Sequence, residues 1–283
     1  MSIIKEYVYR KHLREPIKYL LLIMAFVLSI IIDTCIISYI RSTGDNSISY
    51  LMIFVITTLI ILGVVGVEFL LLYFFVFRKF KNISVQLTDL GIIYKNIKGT
   101  TFIQYEEIQS IQFPSIRYIG GWAKIKSNGK NIRLTVVLEN IGKFINELKY
   151  TLDKKNINYI YDERKLYNFC KTATYSDQSW ERVYEKLKTL LITYAICILI
   201  SIIYLGFMNL YVSQIIFVIL IILYPLYVFI ISEIILGFRL SIKTKAKGKI
   251  LTIRDKKVEN TIYKYTALIL GALILGILIF SII

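Results

Sequence analysis

Three carboxylates fall inside long apolar stretches of this chain: Asp33, Glu68 and Glu233. An ionisable group in a bilayer core is costly, and such groups face a bundle interior or a water-filled cavity. Two readings are open. One is a proton or cation path, or a polar contact with a partner subunit. The other is a protonated or hydrogen-bonded carboxyl that helps helices pack, its pKa raised by burial. Apart from Lys18, at the inner end of the first run, no Lys or Arg stands within the apolar runs to pair with the three. Glu68 precedes Arg78 by ten residues, about 15 Å along a helix, which places it near mid-membrane. Asp33 lies beyond the middle, on the outer side. Glu233 is six residues from Arg239, closer to the inner interface.

A second constellation is basic and aromatic. Lys124, Lys126, Lys130 and Arg133 surround Asn128-Gly129, the dipeptide that best signals a two-residue hairpin turn. With a period of two, Lys124, Lys126 and Arg133 share one face with Trp122 on the same side, while Ile125, Ile132, Leu134 and Val136 take the other. That face suits an anionic lipid surface or an acidic protein partner, and equally a solvated sheet that resists aggregation.

Catalytic equipment is missing. His12 is the sole histidine, and there is no HExxH, GxSxG, GxxxxGK[ST] or GxGxxG. Glu106-Glu107 lies in a strand-like stretch, so one side chain points in and one out, which is no acid–base pair. Cys35, Cys170 and Cys197 lack metal spacing and read as reduced thiols. We expect no catalytic residue, no metal site and no cofactor.

The elements that carry these residues follow from hydropathy. Five apolar runs, 17–40, 50–77, 190–208, 213–238 and 265–283, each approach the 20 or so residues that span a bilayer. Of 35 Lys and Arg residues, 34 fall on one side if all five runs cross, and only Arg41 falls on the other. Basic flanks stay cytoplasmic. The expected localisation is the cell membrane, with the amino terminus cytoplasmic and the carboxyl terminus extracytoplasmic. The net charge of +16 then faces anionic lipid and not nucleic acid. The basic stretch before the first run, with Tyr7 and Tyr9, predicts a short interfacial helix. Residues 239–264 form a basic inner segment, in which Leu240–Lys245 and Lys249–Arg254 read as a small hairpin.

Between the second and third runs the pattern is first β and then α. Ile83–Leu87, Ile92–Lys95, Thr101–Tyr105, Ile108–Phe113, Trp122–Lys126 and Asn131–Val137 read as strands. Ile141, Phe144, Ile145, Leu148 and Leu152 then mark one face of an amphipathic helix. Further helices are expected over 162–171 and from an N-cap at Ser176.

The stretch Leu87-Thr88-Asp89-Leu90-Gly91-Ile92-Ile93-Tyr94, the stretch Ile103-Gln104-Tyr105-Glu106-Glu107-Ile108-Gln109-Ser110-Ile111, and the closing helix Asn140–Leu152 resemble the bacterial pleckstrin-homology-like domain. The resemblance covers about residues 82–155. It implies a curved antiparallel sheet capped by a helix and used for binding. The first turn, Thr88–Gly91, is short and acidic, which argues against phosphoinositide specificity.

The fold class expected is thus an α+β membrane protein. It has five transmembrane helices and a cytoplasmic PH-like sheet-plus-helix domain between spans two and three. Its parts are 1–77 (basic terminus and membrane hairpin), 78–155 (PH-like domain), 156–189 (helical linker) and 190–283 (three spans). The function expected is that of a non-enzymatic multi-pass membrane protein whose inner domain binds a protein partner or an anionic lipid surface. The alternatives are a transporter or channel component using the intramembrane carboxylates, and a membrane enzyme without a recognisable motif. The oligomeric state is left open.

Overall fold

The computed structural model describes residues 3–21, 24, 28, 47–116, 120–207, 212–247 and 253–282. The chain is α+β and divides into two compact units. Unit 1 comprises Met1–Leu20 and Val67–Trp180, and unit 2 comprises Leu21–Gly66 and Glu181–Ile283.

Unit 1 holds all the strands among the described residues. One sheet is β1 (Ile3–Val8), β2 (Ser84–Thr88), β3 (Gly91–Asn96) and β4 (Gly99–Gln104), antiparallel and in that order. The other contains β5 (Ile108–Gln112), β6 (Ser115–Ile116), β7 (Gly120–Ser127), β8 (Asn131–Thr135) and β9 (Ile160–Tyr161). Here β7 pairs with β5, β6 and β8, and β9 runs parallel to β5. A bridge from Tyr9 to Leu138 joins the two sheets.

Strand β1 corrects the expected interfacial helix. Residues 5, 7 and 9 alternate with 6 and 8, and Tyr7 and Tyr9 are buried, the signature of a half-buried strand. Glu6 accepts a hydrogen bond from Gln86 at 3.0 Å. Val8 stands opposite Ser84. The sheet therefore joins a strand that precedes the first apolar run to a strand that follows the second.

Helix α2 (Ile141–Lys154) lies over this sheet. Its five predicted apolar positions are all buried, at 1% exposure or less. The Tyr7 ring meets Phe144 edge-on at 5.2 Å, while Lys5 and the Tyr7 hydroxyl both donate to Glu147. The tight turn ahead of β3 needs glycine for a steric reason: a Cβ on Gly91 would sit 2.1 Å from the Ile103 carbonyl oxygen.

The remaining helices are long. Helix α1 (Ser47–Leu72) continues through a π-helical turn, Tyr73–Phe77, into Arg78–Lys81. Helix α3 runs unbroken from Glu163 to Phe207, α4 from Val212 to Lys247 and α5 from Lys256 to Ile282. Ser176 is thus inside a helix and caps nothing. Its apolar neighbours continue the face presented by Leu166, Phe169 and Cys170, all buried, and that packing sustains the helix. Helix α4 passes through Pro225 and on to Lys247, so the first arm of the expected hairpin is helical. Lys249 lies outside the described residues.

Four of these helices are long and apolar enough to cross a membrane: Val55–Lys81, Glu163–Tyr204, Phe217–Thr244 and Lys256–Ile277. The first apolar run, 17–40, lies largely outside the described residues, as does Asp33. In unit 2, Cys197, Phe217 and Ile221 form a core flanked by Tyr204, Tyr224 and Ile274. The Tyr224 hydroxyl donates to the Ala267 carbonyl at 2.9 Å, and a Cβ on Gly271 would touch that hydroxyl. Among the described residues, Gly63, Gly66 and Gly276 have no neighbour close to where a Cβ would sit. The close helix contact falls at Gly271.

Candidate functional site

The Asn128-Gly129 hairpin closes as its residue types require. Gly129 has φ +76°, the left-handed region that favours glycine. The Ser127 amide donates to the Lys130 carbonyl at 2.9 Å, and Gln109 Nε2 donates to Asn128 Oδ1 at 2.5 Å. Register pairs Trp122 with Thr135, Lys124 with Arg133 and Lys126 with Asn131. On the other side β5 places Gln112 opposite Lys124 and Ser110 opposite Lys126, and β9 extends the row by pairing Ile160 with Ser110.

This outward face is cationic because its three antiparallel strands, β5, β7 and β8, contain no Asp or Glu. Its side chains are organised. The Arg133 guanidinium lies 3.7 Å from the Trp122 ring centroid, a cation–π contact that holds both groups flat. Lys130 Nζ reaches the Phe102 carbonyl at 3.1 Å. At the edge Ile160 is 77% exposed. On the reverse side Ala123, Ile125, Ile132 and Leu134 are buried. Val136 is buried too, but it lies in a turn past the end of β8. The structure thus brings together Trp122, Lys124, Lys126 and Arg133, sets Lys130 against β4, and adds Ile160, which the sequence reading did not single out.

A second site lies in unit 2, around Glu233, and the sequence reading missed most of it. Arg182 is 2% exposed. It binds Glu233 bidentately, with Nε to Oε1 at 2.6 Å and Nη2 to Oε2 at 2.8 Å, and gives Nη1 to Glu259 at 3.0 Å. Tyr263 donates to Glu233 Oε1 at 2.8 Å. Glu259 is shared with Arg254, whose nearest approach is 2.6 Å. Arg254 also reaches Glu181 at 3.2 Å and Glu185 at 2.9 Å. Lys186 donates to Asn260 at 3.0 Å and its ammonium lies 4.3 Å from the Tyr263 ring centroid. Burial opposes the charge on Arg254, but the hydrogen bonds to Glu259 and Glu185 outweigh it and raise its pKa.

Three helices position this network. Glu181, Arg182, Glu185 and Lys186 recur at helical spacing on α3, Glu233 comes from α4, and Glu259, Asn260 and Tyr263 share a face of α5. Asp255 caps α5, accepting from the Val258 amide at 3.2 Å, and this sets Arg254 just before the helix. The apolar runs hold no basic partner for Glu233, but the flank of one supplies it. Arg182 lies outside the apolar run 190–208 but on the same continuous helix, and it reaches Glu233 across the bundle. Glu68 is exposed on α1. The network's polar atoms bind one another, an arrangement that cross-braces helices and presents no nucleophile.

Two further polar ties lie in unit 1. Arg10, 2% exposed, donates to the Val136 carbonyl at 3.2 Å and to Asp177 at 2.9 Å. The Asn140 amide also donates to Asp177, at 3.4 Å. His12 stacks on Trp180 with centroids 3.9 Å apart. Burial, and then the charge of Arg10, lower its pKa to about 4. Among the described residues no three His, Cys, Asp or Glu side chains come together as metal ligands.

No protein-family model, no curated protein and no solved structure matches this chain.

Proposed function

We propose that this chain is a non-enzymatic, multi-pass membrane protein whose strand-bearing unit docks an acidic protein partner. The observation that carries the reading is the face of β5, β7 and β8, which is cationic and free of carboxylates. Its stacked Arg133–Trp122 pair and exposed Ile160 are the residue kinds that anchor protein interfaces. An ordered guanidinium on an indole favours a shaped, stereospecific contact over a diffuse headgroup layer.

The pleckstrin-homology-like reading fits the strand order. One sheet of four strands and a second built on β5, β7 and β8 are followed by one closing helix. The reading differs from a contiguous domain in that the apolar pair of runs is inserted between β1 and β2. The orientation we assign puts unit 1 in the cytoplasm, following the 34 basic residues on that side.

The test is a photo-crosslinker at Lys126 in cells. The expected result is one discrete protein adduct whose cross-linked peptide is acidic, lost when Lys124 and Arg133 are both changed to Gln. An adduct to lipid alone, or adducts unaffected by those changes, would remove the partner role from this face.

A further inference from the structure

The chain leaves unit 1 for the first apolar run and returns to it from the second at neighbouring points. Val8 at the end of β1 stands opposite Ser84 at the start of β2. The short helix Lys11–Arg14 packs against Arg78–Lys81. The Tyr9 and Phe80 rings lie 4.7 Å apart between them, and Arg14 Nε donates to the Tyr9 carbonyl at 2.6 Å. This packing gathers Lys11, Arg78, Lys79 and Lys81, and Lys18 follows four residues beyond Arg14; all five are exposed. Among the described residues none of the five has an ion-pair partner. Of the carboxylates in or beside these segments, Glu15 is exposed, Glu139 faces Arg14 at 4.0 Å and Asp177 is bound by Arg10 at 2.9 Å.

One turn before Arg78, Phe74 and Phe75 are 56% and 67% exposed. They belong to a helix whose apolar stretch is not buried among the described residues. Exposed apolar and aromatic side chains running directly into unpaired cations match the tail-to-headgroup boundary of a bilayer. Such cations attract anionic headgroups from within a Debye length.

We propose that Lys11, Lys18, Arg78, Lys79 and Lys81 form a collar that binds anionic lipid headgroups where the inserted apolar pair joins the β unit. The collar shares no cation with the β7–β8 face and acts whichever partner that face takes. Its occupant is lipid because the cations are exposed, have no ion-pair partner among the described residues and are continuous with an exposed apolar helix, whereas Arg133 is fixed on Trp122.

The experiment is native mass spectrometry of the full-length protein in detergent, titrated with phosphatidylglycerol and with phosphatidylcholine. Wild type is expected to retain phosphatidylglycerol and not phosphatidylcholine. Changing all five residues to Gln should weaken phosphatidylglycerol binding about tenfold or more. Changing Lys124, Lys126 and Arg133 to Gln should leave it unchanged. The pair Lys79→Gln/Lys81→Gln gives an intermediate loss if the fivefold variant unfolds, and exchanging the four lysines for Arg restores binding. Equal retention of both lipids by wild type, or undiminished phosphatidylglycerol binding by the Gln variants, would overturn the collar. Loss confined to the Lys124/Lys126/Arg133 variant would move the lipid site to the sheet face and overturn it too.

Discussion

Arg182 holds a charge where water is excluded, so its worth depends on every partner being present. Removing one member of a buried pair leaves the other unpaired and costs about 3–5 kcal/mol, whereas replacing both with apolar residues of similar volume costs far less. Arg182→Met and Glu233→Met should each lower the thermal midpoint in detergent well below that of the double variant. A double variant as unstable as the sum of the singles would mean that the two do not interact. Gly91→Ala tests a backbone constraint. Its Cβ would meet the Ile103 carbonyl at 2.1 Å, an overlap that costs roughly 1–3 kcal/mol or more, read as a lower urea midpoint for unit 1. His12 makes a pH prediction. In the unfolded chain it takes a proton near pH 6.5, but in the folded chain only at about 4. As pH falls through that window the unfolded state binds the proton first and stability drops. The NMR titration of this single histidine should have its midpoint near pH 4, and a midpoint near 6.5 would show that Trp180 does not cover it. Glu233 was legible as a buried ionisable group, but its partner was not. Arg182 and Glu233 are 51 positions apart, and only the packing of two helices brings them together.

At the scale of elements, local signals placed most of unit 1. Strands β2 to β8 (the two-residue β6 aside) and helix α2 fall within one to three residues of where alternation, turn chemistry and the i, i+3, i+4, i+7, i+11 spacing put them. The hairpin tip is where Asn128-Gly129 puts it. Two elements escaped for physical reasons. Strand β1 has only six residues, and its pairing with β2 spans the whole apolar pair, a contact that period and propensity cannot report. Helix α3 was read as pieces because Ser176 resembles a cap. Buried Leu166, Phe169, Cys170 and Ala173, and later Arg182, hold it continuous. The account makes a direct demand of β1. A full-length chain lacking residues 2–9 loses the Tyr7–Phe144 contact and leaves β2 as an edge. Hydrogen exchange at β2 amides should then accelerate strongly. Unchanged protection there would show that β1 is dispensable.

For the whole molecule, the α+β character and the helices long and apolar enough to cross a membrane are legible from the sequence. Four of the five apolar runs coincide with long helices, and the first lies largely outside the described residues. The basic face was legible as a pattern, because β period and a strong turn signal fix which side each cation takes. What the face contacts is a matter of its organisation: Arg133 on Trp122, with Ile160 at the rim. The central claim is that this face looks inward and is covered by an acidic partner. It is tested most directly by thiol labelling of a Cys placed at Lys126, in right-side-out and inside-out vesicles of the membrane the protein comes from. Native Cys35, Cys170 and Cys197 are changed to Ser or Ala first. The account predicts no labelling from outside. From inside it predicts slow labelling that becomes fast after a high-salt wash strips the partner. Labelling from outside, or an inside rate indifferent to the wash, would contradict it.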